Sequence, residues 1–431
     1  MKLEIKHISN LGVGIAIGAE LGKKSNKIFV SKTITGDEIE ARITKKSNKF
    51  TVAKLEKIIK KSDLRKDAEC EYFDRCGGCS LQHLKDDFYL DFKKKNIREA
   101  IARNNLDFND EINFIEIGKN SRRRVSFHVT NDNNLGFFQE NSNELVKISH
   151  CLMLEKDLSD LIPDLQNLLN NLPSGIIDSI SICKFDNVLD VVFGFKKLEI
   201  SLEVSEKLSE FAEKNGNVNL SSKFTTSITP IFQKFKPRIS LGEINIDLPN
   251  GVFLQATKKG QEAIIKQISE FVKNNKIENV VDIYSGIGTY GFSILNNVSK
   301  ISAFEGERRM VNVINKNAKS NIISHKIEAF KRDLDSNPLQ EDELHGFDLA
   351  IINPPRNGAR YQSLKLAKSS IRNIIMVSCD LVTFARDAKI LIDSGFKIDK
   401  LTSIDQFYYT PHIELVAIFT KELNLQISGG K

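Results

Sequence analysis

From about residue 243 onward the chain alternates short apolar runs with amphipathic ones, and this alternation restricts the fold more than any other feature. "QEAIIKQISEFVKNN" (261–275) carries apolar residues at helical spacing, and "VVDIYSGIG" (280–288) is an apolar run stopped by a glycine turn. "SKISAFEGE", "MVNVINKNAKSN", "FDLAIINPPR", "SLKLAKSSIRN", "IIMVSC" and "LVTFARDAKILIDSG" continue as strand, helix, strand, helix, strand and helix. Pieces of this length in this order build a doubly wound α/β sheet. Such sheets hold their ligands at the carboxyl ends of the strands.

Three of these strand ends carry distinctive residues. In "DIYSGIGTYG" the run Gly286-x-Gly288-x-x-Gly291, with Glu305 nineteen residues after Gly286, satisfies a dinucleotide fingerprint. NAD binding is therefore one reading. Asp282 ahead of the turn makes the pattern D-x-x-x-G-x-G, the shape used for S-adenosylmethionine. Its glycines admit the amino acid end of that molecule, and an acid on the next strand accepts the ribose hydroxyls. "NPPR" (353–356) is a stiff loop, because proline fixes φ and lacks an N–H. Loops of this kind line the methyl-donor pocket and a flat base in several nucleic-acid methyltransferases. The two features together favour S-adenosylmethionine over NAD.

The third end is Cys379, after "IIMVS". A lone cysteine is most often a small core residue. On a catalytic rim it also solves a chemical problem: C5 of uracil is a poor nucleophile until a thiolate adds to C6 and turns the ring into an enolate. A base must afterwards remove the C5 proton. Glu414, in "PHIELVAIF" at the start of another apolar strand, suits that task, the alternative being a surface charge.

The rest of the chain frames this region. A length of 431 residues with 41% apolar and 27% charged residues describes two or three globular domains. The boundaries expected are 1–57, 58–242 and 243–431. No run approaches eighteen apolar residues and no secretory leader is visible, so a cytoplasmic protein with no membrane partner is expected. A monomer is also expected. Residues 1–57 fall into short strand-like pieces with glycine and Asp/Asn turns, the spacing of a small β-barrel. Net charge is only +6, but ten Lys/Arg face two Asp/Glu between Ala41 and Lys66, and "FKKKNIR" (92–98) is a second cluster. Such patches suit RNA, or are a solvated surface. "SRRRVSFHV" adds Arg122, Arg123 and Arg124, which strand alternation keeps from all facing one way. Residues 121–240, with "KLEISLEV" near their end, read as strands and loops of a mixed sheet. "DDFYLDFKKKNIREAIARN" (86–104) reads as a helix.

Of six cysteines, Cys70, Cys76 and Cys79 lie within ten residues, around a Gly-Gly. In an intracellular chain that points to metal rather than disulfide. Cys151 in "SHCLML" is available as a fourth thiol, and Cys183 reads as core.

"CEYFDRCGGCSLQHL", "VVDIYSGIGTYG", "INPPRNGA", "IIMVSCDLVTFARDAKILIDSGF" and "DQFYYTPHIELVAIF" together resemble, in order and over essentially the whole chain, the bacterial RNA uracil-5-methyltransferases. The resemblance is closest to the 23S rRNA branch that carries a TRAM domain and an iron–sulfur cluster. It implies an α/β fold: a C-terminal Rossmann-like class I methyltransferase domain, an N-terminal OB-like β-barrel (TRAM) and a central α+β domain. It implies S-adenosylmethionine-dependent methylation of uridine C5 in structured RNA, 23S rRNA being the expected substrate and transfer RNA the runner-up. A catalytically inactive RNA-binding protein is the other alternative, against which retention of both Cys379 and Glu414 speaks. Cys379 would be the nucleophile and Glu414 the base. Gln255, Tyr284, Thr289, Glu305, Asp333 and Asn353 would contact S-adenosylmethionine. Cys70, Cys76, Cys79 and Cys151 would hold a [4Fe–4S] cluster, with zinc as the alternative. Three positions depart from the family pattern: Asp380 where Asn is usual, Asn353 where Asp is usual, and Thr289 where Asn is frequent.

Overall fold

A computed structural model describes residues 1–17, 27–47 and 50–422, and four β-sheets organise them. The largest has eight strands, in the order Ile327–Lys331, Lys300–Glu305, Asn279–Ile283, Leu349–Ile352, Asn373–Ser378, Glu414–Thr420, Lys397–Asp405 and Asn113–Glu116. The first five are mutually parallel, and Glu414–Thr420 runs antiparallel to both of its neighbours. Strand order reverses at Asn279–Ile283, which opens a crevice beyond its carboxyl end.

The strands are almost wholly apolar because helices cover both faces. Pleating sends Val280, Ile351, Ile375 and Val377 to one face, against Ile264, Ile268 and Val272 of helix Lys258–Asn274. Val281, Ile352, Ile374 and Met376 go to the other, against Phe384, Ala388 and Leu391 of helix Leu381–Asp393. Each such buried side chain stabilises the fold by roughly 1.5–3 kcal/mol. Helix Asp86–Arg103 joins the second face through Ile97 and Ile101, and with strand Asn113–Glu116 it brings upstream chain to this sheet.

The basic run 92–98 is not uniformly a surface. Lys93 lies four residues from the buried Ile97 on the same helical face, only 1% exposed, and its Nζ donates to Asp405 Oδ1 at 2.9 Å.

A six-stranded sheet runs Lys2–Glu4, Glu38–Lys46, Thr51–Lys60, Lys27–Val30, Gly14–Ile17 and His7–Ile8. Its two edge strands are nearly contiguous in sequence, so the sheet must curl until its edges meet, around Ile5, Val30 and Ile39. Of the basic stretch, Lys45 and Lys46 end a strand in the open, while Lys49 lies outside the described residues.

The third sheet has seven strands from Arg124–Val129 to Ser227–Phe232, and two helices, Lys156–Asn170 and Leu202–Lys214, pack on it. These helices correct the expectation of strands and loops alone. "KLEISLEV" alternates like a strand, but Ser201 caps a helix, its Oγ accepting from Val204 N at 3.4 Å. Val204, Leu208, Phe211 and Ala212 then recur at helical spacing and bury. Alternation over so few residues does not distinguish a strand from a cap and first turn. No helix among the described residues is long and apolar enough to cross a membrane.

Candidate active site and cysteine cavity

The carboxyl ends of the five parallel strands and the start of Glu414–Thr420 supply one rim. Asp282 is fully buried, and its Oδ2 accepts from Gly291 N at 3.3 Å. Burial pushes its carboxyl up to about 7, and Oδ1 has no hydrogen-bond partner among the described residues. The chain then turns through positive φ at Tyr284 (61°), Gly286 (56°) and Gly288 (80°). A Cβ on Gly288 would come within 3.0 Å of the Phe292 ring, so that glycine permits packing. A Cβ on Gly286 would meet nothing within 4 Å, so that glycine opens onto free space. Glu305 closes the turn from the next strand: Oε2 accepts from Gly286 N at 2.9 Å and Oε1 from Glu307 N at 2.8 Å.

The other expected donor contacts gather on the same side. Tyr284 donates its hydroxyl to Asp335 Oδ1 at 3.0 Å, and Thr289 begins the short helix Thr289–Ile294. Asp333 follows strand Ile327–Lys331, held below the usual carboxylate range by hydrogen bonds from Ser336 and Asp335. Asn353 N donates to Ile283 O at 3.2 Å, tying the "NPPR" loop to the glycine strand. Gln255 Nε2 donates to Tyr290 Oη at 3.2 Å.

Cys379 and Glu414 meet through strand register. The antiparallel ladder ends at the Ser378–Leu415 pair, so Cys379 and Glu414 both flank its last rung, and the Glu414 charge acts on the thiol. Alternation carries Cys379 to the face of Val377 and Glu414 to the face of Val416, and both valines bury on the same side of the sheet. The Cys379 thiol is pushed up by burial and by the Glu414 charge, while the Arg356 guanidinium pulls it down. Glu414 is 3% exposed; burial pushes its carboxyl up to about 7, opposed by the Gln406 amide, whose Nε2 donates to Oε2 at 2.7 Å. Asp380 is occupied as a helix N-cap, its Oδ1 accepting from Val382 N at 3.0 Å and Thr383 N at 2.9 Å. Its charge adds only a small upward push on the thiol. Asn caps helices about as well, so this departure leaves the local structure intact.

Beneath the rim, Asp405 is pinned by Lys93 and by the Tyr89 hydroxyl, and Lys93 also donates to His412 O. This buried ion pair holds both ends of the loop between Asp405 and Glu414. Burial, Arg356 and Lys93 together keep His412 below its usual range. Arg123 turns inward, Nη2 donating to Gln261 Oε1 at 2.7 Å and Nε to Gln255 O at 3.0 Å. Arg122 and Arg124 instead line open cavities, and Arg124 lies 4.0 Å over the ring of Phe253, which is 62% exposed. Sequence reasoning passed over Gln406 and Phe253, although they adjoin Asp405 and sit two residues before Gln255 in stretches already singled out.

Cys70, Cys76, Cys79 and Cys151 line one cavity of about 160 Å³, walled by Phe73, Phe137 and Met153 and edged by Arg122 and Arg124. None is in a disulfide. Burial pushes the Cys79 thiol up to about 12 and raises Cys76 and Cys151 as well. Gly78 N donates to Cys76 Sγ at 3.3 Å, and buried Lys32 donates to Phe73 O and Cys76 O, joining the N-terminal sheet to this loop. Among the described residues no group of three or more His, Cys, Asp or Glu is gathered closely enough to hold a single metal ion. Cys183 is buried in the core below Arg123 and Arg124.

The doubly wound sheet and the glycine crevice beyond its switch point give the chain an α/β methyltransferase fold. The model of the tRNA (uracil-5-)-methyltransferase family matches residues 89–422, and the chain belongs to that family of RNA (uracil-5-)-methyltransferases. It is 32% identical to an uncharacterized RNA methyltransferase of Zymomonas mobilis, over 82% of this chain and 88% of that one. It is 26% identical to the 23S rRNA (uracil(1939)-C(5))-methyltransferase RlmD of Pseudomonas putida, over 97% and 93%. The fold matches the Pyrococcus abyssi tRNA (uracil-54, C5)-methyltransferase, solved with S-adenosyl-L-homocysteine, with a TM-score of 0.75 at 22% identity, over 97% and 100%.

Proposed function

We propose that this enzyme methylates C5 of a uridine in structured RNA, 23S rRNA being the substrate class, with Cys379 as nucleophile and Glu414 as proton acceptor. The observation that carries the reading is the placement of these two residues at the same end of one ladder, the Glu414 charge acting on the Cys379 thiol, beside an open glycine turn. Bound against that turn, S-adenosylmethionine supplies an electrophilic methyl group. Asp282 Oδ1, unpartnered among the described residues, the free space at Gly286 and the backbone-anchored Glu305 suit it. Gln255, Tyr284, Thr289, Asp333 and Asn353 complete its surroundings.

Cys379 adds through sulfur to C6, and Arg356 favours the thiolate needed for this. C5 of the resulting enolate takes the methyl group. Glu414 then accepts the C5 proton, the C–H electrons restore the C5–C6 double bond, and Cys379 leaves as thiolate. The exposed face of Phe253, backed by Arg124, is a stacking platform for a base drawn out of the RNA.

Cys70, Cys76, Cys79 and Cys151 would hold a [4Fe–4S] cluster, which takes four thiolates. A four-iron cluster spreads its ligands wider than a single ion does, so four thiols set around one cavity, with no group close enough for one ion among the described residues, favour it over zinc. Its role here is to tie the 70–79 segment to Cys151, since methyl transfer is redox-neutral. Chain regions 1–57, 58–242 and 243–431 would act as a TRAM-like RNA-binding barrel, a cluster-bearing central domain and the methyltransferase domain. The family's description as transfer-RNA enzymes favours a second reading, a transfer-RNA uridine.

Transcripts of 23S rRNA domains and of transfer RNAs, offered with labelled methyl donor, separate the two substrates. Label in a ribosomal transcript, and a denaturation-resistant adduct with its 5-fluorouridine form that vanishes in Cys379→Ala, are the expected results. Normal methylation by Cys379→Ala would sink the mechanism. Protein purified anaerobically should be brown, with iron and sulfide in equal amounts; a colourless protein with one zinc refutes the cluster.

A further inference from the structure

We propose that Gln406 is a positioning residue that keeps Glu414 aimed and ionised for removal of the C5 proton and joins it to the methyl-donor side of the site through Gln255. The inference rests on the role proposed for Glu414. Gln406 is 1% exposed and follows directly on Asp405, which the Lys93 ion pair immobilises. Its Nε2 donates to Glu414 Oε2 at 2.7 Å and to Gln255 Oε1 at 3.2 Å, and Gln255 Nε2 donates on to Tyr290 Oη at 3.2 Å. A carboxylate only accepts, so the amide must turn its nitrogen toward Glu414. That orientation leaves Gln406 Oε1 buried without a partner among the described residues, close enough to Gly260 that a Cβ there would come within 2.8 Å.

The other groups facing Glu414 do not replace it. Cys379 across the ladder and the buried Tyr290 hydroxyl are the titratable neighbours, and Arg356 acts on Cys379. The Gln406 donor holds the Glu414 carboxyl down against burial. Without that donor the carboxyl rises further and swings free. Methyl transfer would proceed, but the proton would leave C5 slowly and the RNA would stay bonded to Cys379.

Gln406→Leu and Gln406→Met, of similar size and without the donor, test this in the full-length protein on natural and 5-fluorouridine RNA. Fluorine at C5 blocks the proton step, so adduct formation with the fluorinated RNA should stay within about twofold of wild type. On natural RNA, kcat should fall at least about tenfold with KM little changed. Adduct should accumulate on denaturing gels, and the acid limb of the rate profile should move up by about one pH unit or more. A normal kcat and pH profile would overturn the inference while leaving the Cys379 mechanism standing. Loss of the fluorinated adduct in both variants would overturn it too, because Gln406 would then act before the proton step. A wild-type protein that forms no fluorinated adduct removes the underlying mechanism instead.

Discussion

Glu414→Gln should make this enzyme more stable above neutral pH while preventing turnover. The carboxyl is buried, and its value rises from 4.5 to about 7 in the folded protein. A carboxyl raised on folding binds its proton more tightly in the native state. Stability is therefore lost as pH climbs from about 4.5 to about 7, and the loss is complete above that. The shift corresponds to about 3 kcal/mol at pH 8 and under about 1 kcal/mol at pH 5. Glutamine keeps the shape and can still accept from Gln406, but its new N–H groups need partners, which offsets roughly 1 kcal/mol. The net gain at pH 8 is thus about 2 kcal/mol. For a cooperative unit of roughly 150–250 residues that raises the melting temperature by about 4–8 °C. Melting both proteins at pH 5 and pH 8 isolates the effect, because a change in packing alone would move both midpoints alike. An equal shift at the two pH values, or a loss at pH 8, would refute the reasoning.

Other substitutions probe separate parts of the molecule. Lys93→Met strands Asp405 as an unpaired buried charge and should destabilise the protein by about 3–5 kcal/mol in urea titration, an effect that adding Asp405→Asn largely removes. Gly286→Ala places a methyl group in free space at φ 56°, so it should cost only about 1 kcal/mol in melting experiments yet weaken methyl-donor binding at least about tenfold in calorimetry. Lys45→Glu with Lys46→Glu should lower RNA affinity and flatten its salt dependence by roughly one unit of slope for each phosphate no longer neutralised; an unchanged slope removes the N-terminal sheet from the RNA interface.

The parallel sheet was legible in the sequence, because strands buried on both faces must be apolar along their length and the helices between them must show a three-to-four residue period. Local spacing likewise put Asp282, Glu305, Asn353 and Cys379 at strand ends, where α/β sheets work. Short stretches misled. "KLEISLEV" looked like a strand because a cap and first turn alternate as a strand does, and Lys93 looked like surface charge because its buried partner lies 312 residues away. Which of three consecutive arginines turns inward also needed the facing Gln261.

Periodicity, turn chemistry and the supply of thiols and carboxylates are properties of neighbouring residues, so the amino-acid order alone settled the kind of sheet, its reactive edge and the chemistry on offer there. Which groups meet is a matter of pairing between distant segments. The ladder brings Cys379 and Glu414 to one end of the sheet, burial raises that carboxyl, and Gln406 reaches it only because one strand ends where its antiparallel neighbour begins. No local pattern encodes such meetings, since they arise when apolar faces far apart in the chain are packed against one another and polar groups caught between them must find partners.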